Sequence, residues 1–467
     1  MKSWKPPREN LKVVLNARHR PTTLFSSRGA SFSLRTMETS LPNAGESTAT
    51  DIAAGIAVGH FSAQDAILSS LARIKAREPM VRAWAHLDPD RALTQARALD
   101  SGYRRGPLQG VPVGIKDVLD TFDMPTQMGS PIYRGYQPTA DAAAVALLRA
   151  AGAVILGKTV TAEFAGPTPG ATTNPRDPSR TPGGSSSGSA AAVADGMVPL
   201  ALGTQTGGSV LRPASFCGVI GFKPSFGAIN RAGLKFAAES LDTIGLFART
   251  IQDIALTYGV LTGAEATVPT LSAAPRIGLC RTFLWHQAKP ETVAAVEGAA
   301  VALNDAGAEV EDVALADDFA ALAEDRHIIN NVERSQAMAF EWAHHREQIS
   351  AELAAQLERG RATPQARYFA ALAATENLRR RLDAIFHAHD ALLAPCVDGE
   401  APVGLATTGN PDFQAIWTVL HVPTISLPTA RGPNGMPVGV QLIGRNRDDA
   451  RLLGISDWVL SRLKGTA

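Results

Sequence analysis

Two glycine-rich, serine-bearing segments and a lysine upstream of them hold the residue types needed for nucleophilic chemistry at a carbonyl. The first segment is Gly183-Gly184-Ser185-Ser186-Ser187-Gly188-Ser189. The second is Gly203-Thr204-Gln205-Thr206-Gly207-Gly208-Ser209, followed by Val210-Leu211-Arg212-Pro213. Glycine lets a backbone approach a bound molecule closely and adopt conformations denied to other residues. Successive N–H groups in such a turn can converge on one oxygen, and a serine directly after the turn is placed to attack the carbon bearing it. Taken alone, each segment could equally be a flexible loop or a phosphate cradle.

Three other chemistries are tested by the same residues. Gly184 to Gly188 matches G-x-S-x-G, but a nucleophile elbow also wants a strand immediately before it, and here Pro182 ends a long irregular stretch. A P-loop wants a lysine directly after its glycines, and none follows. A zinc site wants HExxH or clustered Cys and His. His344-His345, His387 and His389 read instead as surface residues, and no metal or other cofactor is expected.

The elements around these segments come from periodicity. Ser62 and Asp65 have capping-box spacing, with Ile67, Leu68, Leu71 and Ile74 on one helical face behind them. Further helices are predicted over 50–58, 89–99, 141–151, 189–194, 291–306 and 365–388. Strands are predicted over 110–117, 153–156, 198–202, 391–395, 424–428 and 438–443. Alternation of helix with short apolar strand indicates an α/β sheet covered on both faces. Between Pro167 and Gly188 regular structure stops, and a loop that long inside a compact domain is read as functional.

Composition narrows the class. The chain has 467 residues, 45% hydrophobic and 19% charged, with 45 Lys+Arg against 44 Asp+Glu. That excludes global disorder and any overall electrostatic draw to nucleic acid or an anionic membrane. Cys217, Cys280 and Cys396 lie far apart, which fits a reducing, cytoplasmic setting rather than a disulfide framework. Residues 1–37 hold eight basic side chains and one acid, a net +7 that leaves −6 on the remainder. Residues 1–45 are therefore read as a basic, disordered extension, either preceding a true start at Met37 or serving as an organellar transit peptide. Residues 46–467 are read as one domain.

Together the segments resemble the amidase signature family of serine amidohydrolases. The resemblance rests on Gly110-Val111-Pro112-Val113-Gly114-Ile115-Lys116-Asp117, then the Gly183 run, then the Gly203 run, with 24 residues from Ser185 to Ser209. It is close over about 105–250 and looser elsewhere. It implies a single α/β domain on a large, twisted, mixed sheet flanked by helices on both faces. It also implies Ser209 as a nucleophile forming an acyl-enzyme, Ser185 as a bridging serine in a cis peptide bond, and Lys116 as the base relayed through Ser185. The N–H groups of Thr206, Gly207, Gly208 and Ser209 would form the oxyanion hole. Gln205 and Arg212 depart from the commoner family pattern and agree with its malonamidase-like branch. There an arginine engages a substrate carboxylate; the alternative is an arginine bracing the nucleophile loop.

The implied mechanism makes a demand on Lys116. An ordinary lysine titrates at about 10.4, so a working base must be desolvated and drawn toward roughly 7–8. Val113 and Ile115 supply an apolar strand, and strand alternation turns Asp117 to the opposite face, where it is structural. Gly184, and the stretches Phe164 to Thr173 and Phe413 to His421 with Trp417, are candidates for the substrate pocket. The expected substrates are a small carboxamide, anilide, ester or carbamate, and water, with a homodimer compatible. One rival is an amidotransferase A subunit, glutamine-dependent and requiring a partner; the other is a non-catalytic member kept as a binding module, against which the intact Lys116, Ser185 and Ser209 argue.

Overall fold

The structure, a computed structural model, describes residues 42–43, 45–102 and 106–463. The fold below is that of the compact unit Ser40–Ala467; the basic extension, apart from residues 42, 43 and 45, lies outside the described residues. No described helix is long and apolar enough to cross a membrane.

Eleven strands form one sheet: β1 (Trp84–Leu87), β2 (Pro112–Lys116), β3 (Val154–Thr159), β4 (Leu200–Gln205), β5 (Ile220–Lys223), β6 (Thr243–Ala248), β7 (Arg276–Leu279), β8 (Glu309–Asp312), β9 (Ala391–Pro395), β10 (Thr424–Arg431) and β11 (Pro437–Ile443). Their spatial order is β1-β3-β2-β4-β6-β5-β10-β11-β9-β7-β8. β2 runs parallel to both β3 and β4, β7 runs parallel to β8 and β9, and the other pairings are antiparallel. This is a large mixed sheet flanked by helices.

Strand alternation sorts side chains into two separate apolar layers. Ile155, Leu202 and Leu246 pack into one core, while Leu156, Ala201 and Phe247 pack into another with Ala190 to Val193. A sheet buried on both faces needs apolar residues at every position, and β3, β4 and β6 are buried along their whole length. Their sequences carry apolar runs without alternation, broken by Lys158 and Thr159 at the end of β3, Thr204 and Gln205 at the end of β4 and Thr243 at the start of β6.

Several predicted elements shift. The capping box forms, with Asp65 N–H on Ser62 Oγ at 3.0 Å and Ser62 N–H on Asp65 Oδ2 at 2.9 Å. On that helix Ile67 and Ile74 are buried but Leu68 is exposed, so the apolar face is narrower than predicted. The strand predicted over 198–202 starts at Leu200 and reaches Gln205, and β1 and β5 to β8 were not predicted. β5, β7 and β8 have four residues each, too few to show a period. His389 is buried rather than on the surface, packed beside Gly278 of β7.

The Gly/Ser segment is stitched onto this sheet. The helix Ser187–Ala194 follows it, and Ser189 Oγ donates to the Leu202 carbonyl of β4 at 2.8 Å and shares a 2.7 Å hydrogen bond with Thr159 Oγ1 of β3. A Cβ on Gly188 would lie 2.2 Å from the Ala83 carbonyl and 2.4 Å from the Val160 nitrogen, both immovable backbone. We predict that Gly188→Ala lowers unfolding free energy by about 1–3 kcal/mol or more, as overpacking of a filled interior does. A denaturant midpoint equal to wild type would contradict this packing.

Candidate active site

Parallel pairing brings the carboxyl ends of β2 and β4 to one edge, where ligands of open α/β sheets commonly bind. Lys116 is the last residue of β2 and Gln205 the last of β4. Lys116 is fully buried, and its Nζ donates to Ser185 Oγ at 2.8 Å and Thr204 Oγ1 at 2.7 Å. Both acceptors are neutral. Burial is the main cause pulling Lys116 down to about 7; Asp242 opposes it, while Arg334 and Arg212 reinforce it. Asp117 is turned away, its carboxylate 3.2 Å from Lys158 Nζ and accepting from Gln127 N–H at 3.1 Å.

Ser185 follows a cis peptide bond from Gly184. Its carbonyl accepts from Ala162 N–H at 3.1 Å, and the Gly184 carbonyl accepts from Arg212 Nη2 at 2.7 Å. Ser186 Oγ bonds both the N–H and the carbonyl of Thr204 at 3.2 Å. Of the clustered serines, then, Ser186 and Ser189 hold the segment to strands, and only Ser185 meets the lysine.

Ser209 closes the second glycine turn, just ahead of the helix Leu211–Cys217, and lines a cavity of about 920 Å³. No hydrogen bond is made by its hydroxyl among the described residues. Thr206, Gly207, Gly208 and Ser209 likewise donate no backbone N–H to a described acceptor, which leaves four donors at the cavity wall. The turn is held from behind. Thr206 Oγ1 donates to Asp242 at 2.5 Å, and Thr418 Oγ1 donates to the Gly207 carbonyl at 2.6 Å. A Cβ on Gly208 would sit 2.1 Å from Gln414 Oε1, so a side chain there would displace the Gln414 amide.

Gln205 is the brace that sequence reading left unexplained. Its Oε1 accepts from the N–H groups of Val210 and Leu211 at 2.8 and 3.1 Å, and its Nε2 donates to Thr418 Oγ1 at 3.0 Å. It thereby satisfies otherwise unpaired donors at a helix start. Arg212 is a brace as well: it is buried, with Nε on the Thr408 carbonyl at 2.6 Å and Nη2 on Gly184 and Thr408.

Not every predicted site residue reaches the cavity. Trp417 is fully buried in a separate core, and the helix Asp412–Val419 serves the site through Thr418 instead. Phe164 is buried with φ +46°, its carbonyl held by Arg334 Nη1 at 2.9 Å; the wall is made by the next residues, Ala165 to Pro167. Gly184 lies behind the wall, where a Cβ would meet Thr408 at 2.6 Å. Sequence reading missed Thr204 and Asp242. Thr204 stood inside the second segment and could have been suspected; Asp242 is brought in by β6, which was not predicted. Among the described residues no group of three or more His, Cys, Asp or Glu side chains is placed to hold a metal ion.

Comparison with known proteins gives the family. The Amidase family model matches residues 65–453. The chain belongs to the amidase family. This amidase is 36% identical over 457 residues to the glutamyl-tRNA(Gln) amidotransferase A subunit of Chloroflexus aggregans, covering 86% of the chain and 93% of the relative. Its fold superposes on the peptide amidase of Stenotrophomonas maltophilia with a TM-score of 0.77 at 29% identity, over 90% of the chain and 97% of the neighbour. With 6-aminohexanoate cyclic dimer hydrolase the TM-score is 0.80 at 26% identity, over 89% and 97%. The family and these neighbours indicate a hydrolase of carbon–nitrogen bonds.

The Gln205 brace gives a direct test. Gln205→Ala strands two N–H donors and frees Thr418, and we predict a loss of about 1–3 kcal/mol in unfolding free energy. Unchanged denaturant unfolding would show that the amide does not hold the turn.

Proposed function

We propose that this amidase hydrolyses small carboxamides, with related anilides, esters or carbamates open to the same attack, through an acyl-enzyme on Ser209. The observation that carries this reading is the contact of buried Lys116 with the neutral Ser185 hydroxyl, beside a serine-bearing turn with four N–H groups that meet no described acceptor. In the first half-reaction Ser209 Oγ attacks the carbonyl carbon and passes its proton to Ser185 Oγ, whose own proton moves to neutral Lys116. The carbonyl oxygen gathers negative charge against the N–H groups of Thr206 to Ser209. The C–N bond then breaks, and the amine leaves with the proton returned along the same path. Water repeats the attack on the acyl carbon, giving the acid and restoring Ser209. The relay requires the Ser185 and Ser209 hydroxyls to lie within hydrogen-bond range in the substrate complex, where catalytic contacts commonly tighten.

A second reading, an amidotransferase A subunit that works with partner proteins, is favoured by the 36% identity to such a protein. We prefer the free hydrolase, since the solved neighbours named above are described as a peptide amidase and a 6-aminohexanoate cyclic dimer hydrolase. The three buried free cysteines suit a cytoplasmic enzyme.

Ser209→Ala should abolish turnover over a panel of amides, anilides, esters and carbamates that wild type cleaves. Turnover retained by this variant would remove Ser209 from the mechanism. Wild-type inactivity without partners, with activity restored in a glutamine-dependent assay containing them, would favour the amidotransferase reading. Because the neutral amine is the working form, kcat/KM should fall as pH drops below about 7 and level off above it. A profile flat between pH 5 and 9 would exclude Lys116 as the base.

A further inference from the structure

The cavity wall facing Ser209 comes from two helices outside the glycine-rich segments, Leu322–Ala337 and Ala351–Ala362. They pack closely where Gly360 meets the first helix: a Cβ there would lie 1.9 Å from the Asn331 carbonyl. Gln356 Nε2 donates to Asn331 Oδ1 at 3.0 Å across the same contact. This seam fixes the residue before Gly360, Arg359, on the cavity wall.

The charge of that wall is unbalanced. Arg212, Arg326, Arg334 and Arg359 all line the cavity, against the single carboxylate Glu352. Arg326 has its own partner in Asp412. Arg212 and Arg334 spend their hydrogen bonds on neutral groups, chiefly backbone carbonyls, and keep Nη1 and Nε respectively buried and unbonded. Arg359 is exposed on the cavity wall and makes no ion pair or side-chain hydrogen bond among the described residues. Three guanidinium charges therefore face the space without a carboxylate contact. Guanidinium forks match carboxylates bidentately and hold them more strongly than neutral groups.

We infer that the cavity takes amides carrying a carboxylate away from the scissile bond, and that Arg359 holds that carboxylate beside Gln356. Arg212 is assigned to the nucleophile turn rather than to the substrate. This inference rests on the hydrolase reading for its chemistry, while the anion site itself can be read by binding alone.

The experiment uses ω-carbamoyl carboxylates of increasing chain length beside the matching neutral diamides. Wild type should favour the acids, and Arg359→Gln should cut the ratio of kcat/KM for acid over diamide by about tenfold or more. Arg359→Glu should reverse the preference toward amides ending in an ammonium group. In parallel, calorimetry on Ser209→Ala and on Ser209→Ala with Arg359→Gln measures binding without turnover. Equal affinity for acid and diamide at every chain length, or a preference that Arg359→Gln leaves intact, would overturn the inference. Acid binding that depends on Arg359, in an enzyme that cleaves no amide, would uphold the anion site and dismiss the hydrolase reading.

Discussion

A lysine buried without a carboxylate partner is the constraint on which the rest of the site depends. Moving an ammonium group out of water is costly, and a buried lysine escapes that cost by giving up its proton. Here the hydrogen-bond partners of Lys116 are all neutral: the Ser185 and Thr204 hydroxyls and, at 3.5 Å, the Thr204 carbonyl. The nearby carboxylates are engaged elsewhere. Asp117 is paired with Lys158, and Asp242 accepts from Thr206 and from the backbone of Ala237 and Ala238. A carboxylate in direct contact with Lys116 would hold the proton on and end its use as a base.

That arrangement needs a sheet buried on both faces. β2, a central strand parallel to both neighbours and covered by apolar layers, carries Lys116 to full burial at its carboxyl end. The same register sets Thr204 of β4 beside it and lets the Gly/Ser segment lie across the strand ends. The nucleophile turn is held by separate means, with Gln205, Thr418 and Asp242 acting behind it. Base and nucleophile are thus positioned by neighbouring but distinct sets of contacts, and the open cavity between them is left for substrate.

Much of this was legible in the sequence, because glycine-rich turns, capping boxes and continuous apolar strands are local patterns. The strand β9 was read at its true bounds, Ala391–Pro395, from its composition. What could not be read were relations between distant segments. Thr204 and Asp242 enter through strand pairing, and the arginine wall comes from helices whose sequence shows only amphipathicity. Trp417 misled for the opposite reason: a large aromatic near a site is more often core, and here it is wholly buried. Arg212 was left open between two roles, and its bonds to Gly184 and Thr408 make it a brace.

The most direct test of the account is the titration of Lys116 itself. Lysine labelled with carbon-13 at Cε, with Lys116→Met used to assign its signal, reports the proton on Nζ through the chemical shift of the free enzyme. The account predicts a midpoint near about 7, set by burial. A midpoint close to the ordinary lysine value of about 10.4 would show a charged amine at neutral pH and contradict it.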